Sequence, residues 1–291
     1  MSEENISITR PSTIVGGPPI ARQPSMSQPV TTNTGTSNKL TNSFPTEIIE
    51  LPSQGHFYPD GHPLSNGNLE LKMMTAREED ILADRNLINK GIVLQKLLES
   101  VVVQPGVNVD DLVIGDINAV YLATRMLGYG AEYDIEVTDP FSGEKQKVTI
   151  DLTTVQTKDV DYSLLSPNNR YDFTLPSDTK LTFKFLTHKD EKDINNDIKA
   201  MERLSKGKVN SSEVTTRLKY MIVAVNGNSD RSFVNNWVIN QFIAKDVKAF
   251  RAYVRSISPD LDMKFNFTSE VTGETEALDI PFGIDFFYPT A

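Results

Sequence analysis

Carboxylates, hydroxyls and imidazoles are the groups in this chain that could do chemistry, because its 291 residues include three histidines and no cysteine. Without thiols there is no disulfide, no thiolate zinc site and no cysteine nucleophile. The acidic run Glu78-Glu79-Asp80 invites an acid/base role. Its position argues for a simpler one: Glu78 stands three residues after Thr75, the spacing of a capping box, and acidic groups in a first helical turn complement the helix dipole. His56, Asp60 and His62 lie in the turn-rich stretch from Ser53 to Pro63. Two imidazoles without a downstream ligand pair do not make a metal centre, and Gly and Pro already account for their spacing. His188, at another helix start, reads as a solvated surface group.

Phosphate and hydrolase signatures are missing. Ser205-Lys-Gly-Lys208 lacks the first glycine and the hydroxyl of a phosphate loop, Gly128-Tyr-Gly130 follows a helix instead of a strand, and there is no G-x-S-x-G. Two turns are more suggestive. Thr138-Asp139-Pro140-Phe141-Ser142-Gly143 has the shape of a zinc knuckle with Asp and Ser where thiolates would stand, and Ser269-Glu-Val-Thr272-Gly273 is its counterpart. Oxygen donors replace thiolates poorly at zinc, and Asp-Pro and Ser-Gly are also ordinary turn dipeptides. The expectation is therefore no catalytic residue, no cofactor-binding residue, no metal ligand and no cofactor.

The elements that would position these groups come twice. Leu51-Pro52-Ser53 precedes the alternating Leu69, Leu71, Met73 and then Thr75; Leu175-Pro176-Ser177 precedes Leu181, Phe183, Phe185 and then Thr187, with Lys72/Lys184, Thr75/Thr187 and Glu79/Glu191 at a spacing of 112. Alternation predicts half-buried strands, and each threonine predicts a helix start. The first helix is expected to run from Thr75 to about Val102, with Gly91 as a weak point. Asp116 is expected to cap an almost wholly apolar helix, Ile117 to Leu127, packed between its hairpin and the preceding helix. Further on, Ser211-Ser212-Glu213 opens a helix carrying Val214, Leu218, Met221, Ile222 and Val225, and residues 230 to 258 read as helix with a break near Ala244-Lys245 and a restart at Asp246. Hairpins are expected over 133–152 and 263–280, and Asp116/Asp246, Arg125/Arg255, Gly143/Gly273 and Ile150/Ile280 recur at a spacing of 130. The fold class is thus α+β: a disordered tail over 1–45, a first unit over 46–152, a linker over 153–170 and a second, similar unit over 171–291.

A hydrophobic content of 38% suffices for a sizeable core. The net charge of −10 disfavours a nucleic-acid footprint. No apolar run approaches the roughly 18 residues that cross a bilayer, and the start of the chain has no signal pattern. Phe282 to Pro289 crowds five large apolar side chains into eight residues. Such a segment either docks on its own domain or waits for a partner surface.

Taken together, Leu51-Pro52-Ser53 with Gly55 and Phe57-Tyr58-Pro59, the run Met74-Thr75-Ala76-Arg77-Glu78-Glu79-Asp80-Ile81-Leu82, Ile114-Gly115-Asp116 with Asn118-Ala119, Arg125-Met126-Leu127-Gly128-Tyr129-Gly130 and Asp285-Phe286-Phe287 resemble the baseplate hub proteins of T4-like contractile-tailed bacteriophages. The resemblance spans about residues 45 to 288 and is most specific in its first half. It implies a non-enzymatic structural protein or assembly factor of the tail baseplate hub, made as a late protein. Its partners would be other hub and tail proteins, with no nucleic acid, membrane or small-molecule ligand. Its location would be the virion's tail baseplate, or the infected host cytoplasm during assembly. Members commonly carry Cys-x-x-Cys at the hairpin turns, which this chain lacks. Alternatives are a transient assembly chaperone absent from the mature virion, or a small metal-dependent enzyme with the 54–66 loop over a cleft.

Overall fold

The computed structural model describes residues 45–204 and 213–287. The tail expected over 1–45 lies, but for Pro45, outside them. Thr46–Glu50 (β1) and Asn68–Lys72 (β2) pair antiparallel, with Ile49 opposite Leu69 and Glu47 opposite Leu71. Leu69 and Leu71 point inward and are fully buried, as their alternation requires. The loop between the strands tucks Leu51, Phe57, Tyr58 and Leu64 under the sheet.

The long helix expected from Thr75 is instead three: Ala76–Ala83 (α1), Arg85–Lys90 (α2) and Val93–Val101 (α3). Two local causes divide it. Asp84 turns its side chain onto the amides of Asn86 and Leu87, making a fresh N-cap, and Gly91 adopts a left-handed φ of 64° that ends α2. The reward is a better stripe, since Val93, Leu97, Leu98 and Val101 are all buried on α3.

After a 3-10 turn at Val109–Asp111 comes Ile114–Tyr129 (α4). It begins three residues earlier than expected, so Asp116 lies within its first turn and is not its cap. Glu132–Thr138 (β3) and Lys145–Asp151 (β4) form the first hairpin. Gln156–Thr157 (β5) follows, then Tyr171–Thr174 (β6) and Lys180–Phe183 (β7). His188–Leu204 (α5) is the helix that Thr187 opens, and Glu213–Met221 (α6) follows the gap in the described residues.

The helix expected to carry Ile222 and Val225 stops at Met221. Ile222–Val225 is a strand (β8), completing a three-stranded sheet in the order β6-β7-β8, with Leu181 opposite Val225. Four consecutive apolar residues, Ile-Val-Ala-Val, suit a strand buried on both faces, and tertiary pairing decides between the two readings. Arg231–Asn240 (α7) and Ala244–Ile257 (α8) follow, so the expected break is real and the restart is two residues earlier. Leu261–Asp262 (β9) pairs with β5, and Lys264–Thr268 (β10) with Thr275–Asp279 (β11) forms the second hairpin. The class is α+β: helices among small antiparallel sheets.

The described residues all belong to one compact unit. Its core is continuous, joining Leu69, Leu97 and Val120 to Phe183, Ile222 and Phe250. An isolated bridge pairs Val113 with Thr187, and the amide of His188 donates to the carbonyl of Leu112, so α4 and α5 start side by side. Gly115 allows that end of α4 to be approached closely: a Cβ there would lie 2.0 Å from the carbonyl oxygen of Pro259.

Candidate interaction surface

Two of the carboxylates that the sequence singles out, Glu78 and Asp116, are used in internal ties. Glu78 is fully buried; it accepts from Lys72 Nζ at 2.7 Å, from Ser100 Oγ at 2.6 Å, and from the amide and hydroxyl of Thr75. Burial would raise its carboxyl, but these donors outweigh it and hold the group at about 2. Thr187 and Asp190 repeat the arrangement at α5, where Lys184 Nζ reaches both oxygens of Asp190 at 2.6 and 2.7 Å. In both places the carboxylate closes a capping box and takes a lysine from the end of the preceding strand, Lys72 as the last residue of β2 and Lys184 just past β7. That geometry fixes a strand to a helix start.

Asp116 does the same for the Leu51-Pro52-Ser53 loop. One oxygen accepts from the amide of Ser53 at 2.9 Å; the other accepts from Ser53 Oγ at 2.7 Å and from Tyr58 Oη at 2.8 Å. Burial dominates here and pushes the carboxyl up to about 6 despite its three donors. It also raises the Tyr58 phenol, with help from the Asp116 charge. A hydroxyl beside a carboxylate resembles a nucleophile and base, but Ser53 and Asp116 are both fully buried, so the pair works as a strut.

His56, Asp60 and His62 do not converge on a common point. The His62 ring stacks on Tyr58 with centroids 5.0 Å apart and its Nδ1 accepts from the amide of Leu64, while His56 leans on Tyr162. Among the described residues no group of three His, Cys, Asp or Glu is placed to hold a metal ion. His188 contradicts the sequence reading. It is buried, not solvated, its Nε2 has no hydrogen-bond partner, and burial depresses its pKa. It lines a cavity of about 540 Å3 among α3, α4, α5 and α6, together with Asn118, Tyr121 and Lys192.

The two hairpin tips meet. Ser269 Oγ donates to Asp139 Oδ2 at 2.5 Å, and Ser142 Oγ donates to the same oxygen at 2.7 Å. Within each turn the amides two and three residues on point at the first side chain: Phe141 and Ser142 at Asp139 Oδ1, Val271 and Thr272 at Ser269 Oγ. Gly143 and Gly273 close the turns by donating to the carbonyls of Asp139 and Ser269. This is the amide pattern of a metal knuckle, but the donor set does not suit zinc, which prefers nitrogen and sulfur. Asp139 accepts four hydrogen bonds, and although burial opposes ionisation they hold its carboxyl at about 2. Both oxygens of the carboxylate that stands in a ligand's place are thus already engaged by hydrogen-bond donors.

The C-terminal segment docks on its own domain. Phe286 and Phe287 are fully buried. Tyr121 of α4 packs on Phe282 and Phe287 with centroids 5.7 and 6.0 Å apart, and Tyr133 meets Phe286 edge-on at 5.0 Å. Arg125 clamps the segment: its Nε donates to the carbonyl of Phe286, and its other nitrogens donate to the carbonyls of Gly130 and Glu132. The sequence reading had no role for Arg125 and none for the Ser53–Asp116 or Asp139–Ser269 pairs. The one available signal was the recurrence of Arg125, Asp116 and Asp139 positions 130 residues later.

A model of the family described as T4 bacteriophage base plate protein matches residues 45–287 of the chain. No curated protein matches, and no solved structure matches.

Proposed function

The chain belongs to the T4 bacteriophage base plate protein family, and from that premise we propose that it is a non-enzymatic component or assembly factor of the baseplate hub, acting through protein contacts. Its structural role in the phage tail baseplate follows from the family. The hub assignment and the absence of catalysis are our reading. The observation that carries it is the use of four of the five buried carboxylates of the described residues. Glu78, Asp116, Asp139 and Asp190 each join two separate elements or turns and accept several internal hydrogen bonds, while the fifth, Asp246, is buried in the first turn of α8 with one oxygen unpartnered. Such a chain is built as a rigid body that presents a surface.

An internal repeat fits this role, and we read units 46–152 and 171–291 as two copies fused into one body. Support comes from matched spacing: β2 and β7 begin 112 residues apart, while α4 and α8 begin 130 apart, as do β4 and β11.

Quantitative mass spectrometry of purified tails and of hub intermediates from infected cells tests the function. A fixed copy number in tails supports a resident component. Presence in intermediates alone makes the chain a transient assembly factor. Absence from both overturns the proposal.

A further inference from the structure

Helix α8 presents a face that no other part of the described chain covers. Lys248, Arg251 and Arg255 recur along it at i, i+3 and i+7; all three are exposed, and none has a hydrogen bond or ion pair among the described residues. With Phe242, Val247 and Ala252 they line an open groove of about 590 Å3. In a chain of net charge −10, three adjacent cations on one helix face, none of them paired with a carboxylate among the described residues, make a local basic stripe.

The related face of α4 shows what such a surface receives. Tyr121 and Arg125 stand 130 residues before Arg251 and Arg255, on a helix that begins 130 residues before α8. They hold the segment from Phe282 to Phe287, two of whose rings pack on Tyr121 while Arg125 takes the backbone carbonyl of Phe286. That occupant is a short stretch of aromatic residues with one carboxylate, Asp285. On α8 the apolar floor is retained and the cations are more numerous.

We infer that the α8 groove docks a segment of a second baseplate protein that combines aromatic side chains with carboxylates. The partner class rests on the function proposed above; the chemistry of the segment rests on the groove. Aromatic rings suit Phe242 and Val247 and stack favourably on guanidinium planes, while carboxylates neutralise Lys248, Arg251 and Arg255. Nucleic acid fits less well, because the cations share the groove with apolar Phe242, Val247 and Ala252 and the whole chain is acidic. A second copy of the chain fits less well too, since its aromatic segment is already seated on its own α4. Residues 1–43 contain no aromatic side chain, and their two carboxylates are Glu3 and Glu4, so the chain's own start lacks the required chemistry.

The test compares the full chain with the triple variant K248E/R251E/R255E, whose sites are exposed, so that its melting curve should match the parent's. The probe is a fluorescent peptide copying residues 282–288, Phe-Gly-Ile-Asp-Phe-Phe-Tyr, extended by two glutamates, read by anisotropy at low and high salt. Binding should weaken by about tenfold or more in the variant and should be salt-sensitive in the parent. Equal affinity for both proteins overturns the inference, as does a DNA duplex that outcompetes the peptide. A photo-crosslinker at Ala252 in infected cells supplies the second readout. A crosslink to a different tail protein supports the inference, and a crosslink solely to another copy of this chain overturns it. These outcomes are separable from the proposed function, because the chain can be present in tails with an idle groove, or bind the peptide and be absent from every tail intermediate.

Discussion

Ser269 Oγ donates to Asp139 Oδ2 at 2.5 Å, joining two hairpin tips that lie 130 residues apart in the chain. The contact clasps β3-β4 to β10-β11, and Gln146 reinforces it by bonding the carbonyl of Thr268 and the amide of Glu270. Ser269→Ala removes one donor from a buried acceptor and should lower the melting temperature without altering secondary structure by circular dichroism. The amides are already aimed as in a thiolate knuckle, so the quadruple variant D139C/S142C/S269C/T272C should gain one zinc per chain by elemental analysis, whereas the parent should hold none. Zinc in the parent would contradict the clasp as described.

Acid sensitivity should have a defined window. Glu78 and Asp139 are both held at about 2 in the folded chain, below the ordinary carboxylate range of about 3.9–4.3. A depressed folded value means that their contribution is present above the unfolded value and is lost as pH falls through the folded one. Stability should therefore drop between about pH 4 and pH 2. Glu78→Gln removes the countercharge of a buried 2.7 Å pair and should cost roughly 3–5 kcal/mol in urea unfolding at neutral pH, with a shallower acid limb. An unchanged limb would show that the acid transition arises elsewhere.

Asp116 should act in the opposite direction. Its folded value is raised to about 6, so its contribution is greatest below about pH 4 and declines as pH rises toward 6. Asp116→Asn keeps the shape and one acceptor but cannot ionise. Measured between pH 4.5 and pH 7.5, the parent's melting temperature relative to the variant's should fall with rising pH. A difference that is constant across the window would place the titration outside this strut.

The clamp on the C-terminal segment predicts a stability role for residues that, from their composition, could equally have served a partner. Phe286→Ala should cost about 3–5 kcal/mol, since its fully buried ring meets Tyr133, Phe282 and Phe287. Deleting residues 284–291 should destabilise at least as much. Wild-type denaturation midpoints for both variants would mean that the segment is dispensable to the fold.

Leu122 is nearly fully buried on α4, so Leu122→Asp should cost several kcal/mol by leaving a desolvated carboxylate in the core. A retained melting temperature would put that face of the helix in water.

Local chemistry was legible in the sequence wherever a short-range rule sufficed. Thr75 with Glu78 and Thr187 with Asp190 announce their helix starts because a capping box spans three residues, and the hairpins around Gly143 and Gly273 follow from alternation about a turn. The α+β class and the recurrence of its elements came from the same short-range signals. What the sequence could not determine was any contact between distant groups of ambiguous preference. Ile222–Val225 has the composition of either a helix end or a strand, and only the exposed edge of β7 decides it. Asp116 has the appearance of a cap, yet the early start of α4 turns it toward Ser53 and Tyr58, more than fifty residues away. His188 sits at a helix start whose burial its neighbours in sequence do not reveal, and it is buried here where that start pairs with Leu112 and Val113 ahead of α4. Hydrogen-bond spacing along a helix or hairpin is written into a few consecutive residues, whereas burial depends on which remote surface arrives, and that is settled only when the whole chain packs.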